Sequence, residues 1–437
     1  MGVSVTAPDA QPNDPPSPEV RLSRRQLLPL VGVAALASAF PIGSASAQQS
    51  APAAGGGAAE DTGAVAPSRY VYVGTYTAPH TAPGGTQPST AVGVYVFKLD
   101  GQTGGLSQVQ VVPLENPSWV TLDPQGRYLY AISEVDTWKG TANSGGITAY
   151  AIDATTGMLT AINDQPTMGA IAAHAIVDPA GKYVLVANYN GSNFVVLPIQ
   201  PNGGLGPVSQ VVTVSGTGPD ASRQEMPHPH QIQFDPAAKF VFGNDLGTDK
   251  VWVWTFDAAQ GKLTPTPLPA IQVASGSGPR HSAFHPTGKA MYVIAEMGSA
   301  VSAFSYDATK GQAIWLQTLS TLPPDFRGTS TCAELIMHPS GRWLYGSNRG
   351  HDSIVGYAVD QATGRLTVID WWSTQGMVPR GFTIEPSGAF LLAGNQNSDS
   401  VVPFRIGQDS GRLTPTGAVT NTPVPVTFGF GRPITAK

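Results

Sequence analysis

The 437-residue chain has a single cysteine, Cys332, so no internal disulfide can staple it. Charged residues make up only 12% of the chain, about half the usual share. With a net charge of −5 and no basic stripe, it lacks the electrostatic footprint of a nucleic-acid binder or an anionic-membrane binder. No phosphate-cradling glycine loop and no G-x-S-x-G elbow occur, which argues against nucleotide chemistry and a serine-hydrolase elbow. The apolar run from Leu27 to Ile42 is broken by Pro29 and Pro41 and is too short to span a bilayer. What the chain has in abundance is glycine and proline, 89 of 437 residues together, and that suits a turn-rich all-β protein.

The N-terminal segment reads SRRQLLPLVGVAALASAFPIGSASAQ, with Arg24-Arg25 just ahead of the apolar run. This resembles a twin-arginine export signal, and the alternative is the basic head of an ordinary secretory signal. Either way, Ala45-x-Ala47 meets the small-residue rule for cleavage, so the expected signal peptide is 1–47 and the mature chain starts near Gln48. The twin-arginine export machinery is then a transient partner, the destination is the periplasm or the exterior, and no stable membrane insertion follows cleavage. Residues 48–67 are rich in Ala, Gly and Pro without an apolar period, the composition of a flexible linker.

From 68 to 437 the chain repeats itself. PSWVTLDPQGRYLYAISE (117–134), GPRHSAFHPTGKAMYVIAE (278–296) and PRGFTIEPSGAFLLAGNQ (379–396) share one plan. A short apolar strand meets an acid or His followed by Pro, then a turn, then a second apolar strand. The turn prolines Pro124, Pro179, Pro236, Pro286, Pro339 and Pro386 lie 47 to 57 residues apart. A second kind of turn, closed by Leu106, Leu159, Leu205, Leu263, Ala313, Leu366 or Leu413, follows each unit. Four strands per unit without a helical period predict an all-β fold, a seven-bladed β-propeller with four-stranded blades. The chain opens on the second strand of a blade, RYVYVGTY, and closes on PVPVTFGF, which reads as that blade's first strand. The N- and C-terminal strands should therefore close the ring within one blade, leaving no open sheet edge.

The repeat also sorts the polar residues. His285 and His338 stand where other units have Asp123, Asp178, Asp235 and Glu385, so they read as turn residues. Residues at the start of first strands and the end of second strands should meet at one mouth of the channel. The starting positions hold Trp119, His174, His230, Arg280 with His281, Glu334 and Arg380; the ending positions hold Glu134, Tyr189, Asp245, Glu296, Arg349 and Gln396. Such convergence marks a candidate pocket, although any propeller mouth is polar. No two histidines share a metal-ligand spacing, so neither a metal nor another cofactor is expected.

GPRHSAFHPTGKAMYVIAE, NRGHDSIVGYAVD (348–360) and PRGFTIEPSGAFLLAGNQNSDSVVPFRI (379–406) resemble the seven-bladed lactonase family. Its members include propeller-type 6-phosphogluconolactonases and the carboxy-cis,cis-muconate cyclase. The resemblance implies a catalytic set of His230, Arg280, Glu296 and Arg349, with His228 close enough to His230 to compete for the match. His174, His281, Glu334 and Arg380 become candidate substrate contacts, and His351 either braces Asp352 or reaches the site. In such a set a histidine can shuttle the proton, two arginines can hold the oxyanion and a carboxylate, and Glu296 stays ionised between them. The implied activity is hydrolysis of a sugar-type or carboxylated lactone, a small-molecule substrate. The alternatives are an intramolecular lyase of the cyclase type, or a propeller that only binds a ligand or protein. If the chain is cleaved as expected, intact-mass analysis of the exported protein will show a start close to Gln48, and retention of Met1 would overturn the export reading.

Overall fold

A computed structural model describes residues 65–82 and 85–434. The signal-like segment 1–47 and most of the linker 48–67 lie outside the described residues. Seven antiparallel sheets of four principal strands form the seven blades of a propeller. In the first blade the innermost strand is the C-terminal Pro425–Pro433, paired with Arg69–Thr75, then Gly93–Leu99 and Leu106–Pro113. The ring thus closes by pairing its two ends, as the half-units at the termini predict. A side-chain tie reinforces the closure: Arg69 Nε meets Glu385 Oε1 of the last blade at 2.7 Å, with the carboxylate fully buried.

The turns explain why Asp, His and Gly recur. Asp123 accepts the Arg127 and Tyr128 amides at 2.5 and 2.9 Å, and Asp178 and Asp235 do the same in their blades. His285 and His338 occupy the same place and accept the amides of Thr287 and Ser340 through Nδ1, each at 3.2 Å. An acceptor is required there, and either residue type supplies one.

Blades adhere through apolar faces and one repeated polar contact. Tyr72, Tyr130, Tyr292 and Tyr345 are fully buried on second strands. Each hydroxyl donates to a turn glycine carbonyl in the following blade, at Gly157, Gly203, Gly364 and Gly411, over 2.7 to 3.1 Å. A large ring is buried without orphaning its hydroxyl, the condition for using tyrosine in a core.

One turn departs from the pattern. Where five blades have glycine in the left-handed region, such as Gly126 at φ 59°, the fourth blade has Ala238 at φ 54°. A Cβ in that region costs about 1 kcal/mol or more. Ala238→Gly should therefore raise stability by about 1 kcal/mol in denaturant unfolding, less any gain in unfolded-chain freedom; an unchanged or lower midpoint would refute the strain.

Candidate active site

The first strands of the blades start irregularly. Their pairing with the second strands slips between Pro229 and Gln231, Pro279 and His281, and Pro379 and Gly381. The residues skipped are His230, Arg280 and Arg380. Each bulge leaves one residue outside the ladder and re-aims its side chain. Three functional candidates thereby reach the channel.

The bulges at His230 and Arg380 open onto a cavity of about 600 Å³ at one mouth of the channel. His230, Glu296, Arg349 and Arg380 line it, with Glu134 and Arg223. Glu296 is the centre of its charge network. Its Oε2 lies 3.1 Å from Arg280 Nε and 3.0 Å from Arg349 Nη2, and its Oε1 accepts from Arg223 Nη2 at 2.8 Å. The Arg280 contact is a charge contact and not an aligned hydrogen bond. Burial alone would raise the Glu296 carboxyl, but Arg349, Arg280 and Arg223 together hold it at about 2, so it is an anion at any ordinary pH. Arg280 is anchored beneath by donation to the Ala333 carbonyl at 2.6 Å. Burial, with Arg380 and Arg349 beside it, draws its guanidinium down to about 9, which leaves it charged at neutral pH. Across the cavity Arg380 stands 5.2 Å from the centre of the Tyr76 ring and 3.8 Å from Glu134. Tyr76 donates to that carboxylate at 2.9 Å.

His230 is 5% exposed, and its Nδ1 has no hydrogen-bond partner among the described residues. Burial first, then the charges of Arg280 and a neighbouring His281, push its pKa well below the usual imidazole value. It is therefore neutral at neutral pH. His228 does not line the cavity; its ring is stacked on Tyr189 with ring centres 4.3 Å apart.

Several expected contacts lie deeper than the cavity wall. His281 sits beneath His230, ring centres 5.3 Å apart, and its Nδ1 bonds Glu334 at 2.7 Å. His174 packs on Trp119 at 4.1 Å and also touches His281. Glu334 and Trp119 in turn line a second cavity of about 350 Å³ further down the channel. Arg280, His174, His281 and Glu334 thus form a floor and do not line the upper cavity. Asp245 is also not a wall residue. It is fully buried and holds backbone and side-chain donors from His228, Gly247, Thr248 and Trp252. His351 does not line the cavity: it bonds Ser353 Oγ at 2.7 Å, with its ring edge against Phe326. Asp352 does its bracing with backbone amides, those of Gly350 and Val378. Cys332 is buried, and burial pushes its thiol up to about 12, which suits a packing role. Among the described residues no group of three or more His, Cys, Asp or Glu is arranged to hold a metal ion.

Arg223 is a charged wall residue that the repeat does not reveal. It comes from the connection between strands Gln210–Thr213 and Pro229–Phe234, the longest between successive complete blades. That length was its one signal, since long connections in compact folds tend to carry function.

Residues 70–430 match the family described as Lactonase, 7-bladed beta-propeller. The chain belongs to this lactonase family. Among its relatives is the 6-phosphogluconolactonase of Bacillus subtilis, 37% identical over 73% of this chain and 86% of that one. The 6-phosphogluconolactonase of Formosa agariphila is 32% identical over 69% and 84%. Among solved structures, the periplasmic gluconolactonase of Pseudomonas aeruginosa is 30% identical with a TM-score of 0.75, covering 84% of this chain and 99% of that one. These relatives of the propeller support a lactonase function.

The buried histidines make a pH test. His174, His230 and His281 have pKa values depressed by burial, so below about 6.5 the unfolded chain takes up protons that the folded chain refuses. Their contribution is fully present above that pH and is lost as pH falls, at up to about 1.4 kcal/mol per pH unit for each histidine. Unfolding midpoints measured from pH 7.5 to 5 should fall, and His174→Gln should flatten the slope; an unchanged slope would exclude His174 as a contributor.

Proposed function

We propose that residues 68–437 are the catalytic domain of an exported lactone hydrolase, preceded by a cleaved signal at 1–47 and a linker at 48–67. Its substrate is an unphosphorylated sugar-type or carboxylated lactone. Arg24-Arg25 with Ala45-x-Ala47, and the periplasmic location named for the Pseudomonas relative, support export. Among the described residues no helix is long and apolar enough to cross a membrane. A phosphorylated sugar lactone is not expected outside the cytoplasm, and this favours the unphosphorylated class.

The observation that carries the hydrolase reading is a neutral, buried histidine facing three guanidiniums across one cavity. In the proposed reaction His230 takes a proton from water as its oxygen bonds to the lactone carbonyl carbon. Arg349, with Arg380 opposite, stabilises the developing oxyanion. The ring C–O bond then breaks, and protonated His230 returns its proton to the leaving alkoxide. The hydroxy acid so formed ionises, and its carboxylate leaves past the same arginines. Glu296 stays an anion throughout, keeping Arg280 and Arg349 in place.

Steady-state assays on a panel of lactones and muconates test this directly. Acid release from a lactone supports the hydrolase, cyclisation of a muconate without water supports a lyase, and neither points to a binding propeller. On the best lactone, Arg349→Ala should cost on the order of 3 kcal/mol of transition-state stabilisation, about a hundredfold in rate. His285→Asp, which restores the turn acid of three other blades, should leave turnover near wild type. Equal loss in both variants would move the site away from this cavity.

A further inference from the structure

The three arginines around Glu296 are not equivalent. Arg280 is buried in the floor, and Arg349 has only 12% of its side chain exposed. Arg223 has 40% exposed and stands on the wall of the cavity. Both of its hydrogen bonds run from Nη2, to Glu296 at 2.8 Å and to the Tyr189 hydroxyl at 3.5 Å. Nε and Nη1 are uncommitted among the described residues, and a guanidinium with a free edge can grip an anion bidentately.

Its loop is built to hold it there. The next residue, Gln224, is fully buried, and its Nε2 donates to the Leu246 carbonyl and to Asp249 Oδ1, both at 2.8 Å. Asp249 is itself buried and accepts the Gly276 and Gly278 amides, so the loop is pinned to the blade framework. Arg223 is therefore a placed side chain and not a loose one on a loop. Glu296 already has two other guanidiniums, so keeping it ionised does not require a third. The wall itself carries three guanidiniums, Arg223, Arg349 and Arg380, against two carboxylates, Glu134 and Glu296.

We propose that Arg223, carried by the 214–228 loop, is a specificity residue that reads the charge on the part of the lactone remote from its carbonyl. Its ligand is an anionic substituent, which on the unphosphorylated lactones proposed above is a carboxylate; a terminal phosphate ester serves as a second anionic probe. This rests on the lactonase reading of the same cavity. Arg349 and Arg380 serve the reacting ester, and Arg223 serves the far end of the substrate.

The test compares three substrates on the full exported chain: a neutral aldonolactone, its terminal phosphate ester, and the aldarolactone with a terminal carboxylate. In Arg223→Gln, kcat/KM for at least one anionic lactone should fall about tenfold or more relative to the neutral one, mainly through KM. Whichever anion responds identifies the source of the charge. Arg223→Lys should recover part of the selectivity, since it keeps the charge but loses the fork. A residue that merely supports Glu296 would depress all three substrates alike, leaving the ratios unchanged in both variants, and that result overturns the proposal. Thermal melting of each variant identifies a folding loss, and because the reading is a ratio within one preparation, such a loss leaves the comparison intact. Failure of the wild-type protein to open any lactone would instead remove the hydrolase reading on which this one stands.

Discussion

One buried carboxylate organises the mouth of this propeller. Glu296 ends the second strand of its blade, Arg280 starts the first strand of the same blade, Arg349 ends the second strand of the next, and Arg223 comes from a loop one blade earlier. Taking a carboxylate or a guanidinium out of water costs several kcal/mol, and neither ion would be stable here alone. Together they hold three neighbouring units in register at the point where the channel opens. Removing the carboxylate would leave Arg280 buried beside Arg349 and Arg380 with its closest counter-ion gone, a change of the class that costs about 3–5 kcal/mol. The network is thus structural and functional at once: the ions that fix the blade ends also fix the field in the cavity.

The ring makes that precision possible. A propeller places equivalent positions of each blade around one axis, so residues at the starts of the inner strands converge on one mouth of the channel. Closure by Pro425–Pro433 against Arg69–Thr75 prevents the ring from opening and relaxing the distances across the mouth. Interblade tyrosines donating to turn glycines keep the blades at fixed separation near the opposite rim. The bulges at His230, Arg280 and Arg380 then supply the local freedom that a regular ladder would deny.

Much of this was legible in the sequence, for a physical reason. A turn needs a particular acceptor and a left-handed residue at fixed offsets, so D-P-x-G and its His variants report blade number, strand order and ring closure. The same logic separated His285 and His338 from the channel histidines. Depth was not legible. Arg280 and Arg380 occupy equivalent positions and both sit on bulges, yet one lies in the floor and the other on the wall. What separates them is the neighbours: Arg280 is held between Glu296 and the Ala333 carbonyl, while Arg380 lies over Tyr76. Asp245 shares a repeat position with Glu296, but its shorter side chain turns back to hold its own turn. Arg223 lies between repeats, where no equivalent residue exists for comparison, and only the three-dimensional path of its loop brings it to Glu296.

The electrostatics of the cavity also bear on the proposed division of labour. Burial first, and then the charges of Arg280, His281 and Arg380, disfavour imidazolium, which makes His230 a weaker base than a histidine in water but leaves it neutral at neutral pH. Once it has accepted a proton, the same environment makes it a stronger acid, so transfer to the departing alkoxide is favoured. In the proposed reaction the loss of basicity in the first step is partly offset, because Arg380, which helps lower the histidine pKa, also lowers the energy of the oxyanion formed as the proton moves. Burial contributes most to the low His230 pKa, and Arg380 both adds to it and faces the proposed oxyanion, so removing Arg380 would make His230 somewhat more basic while taking away charge that the oxyanion needs.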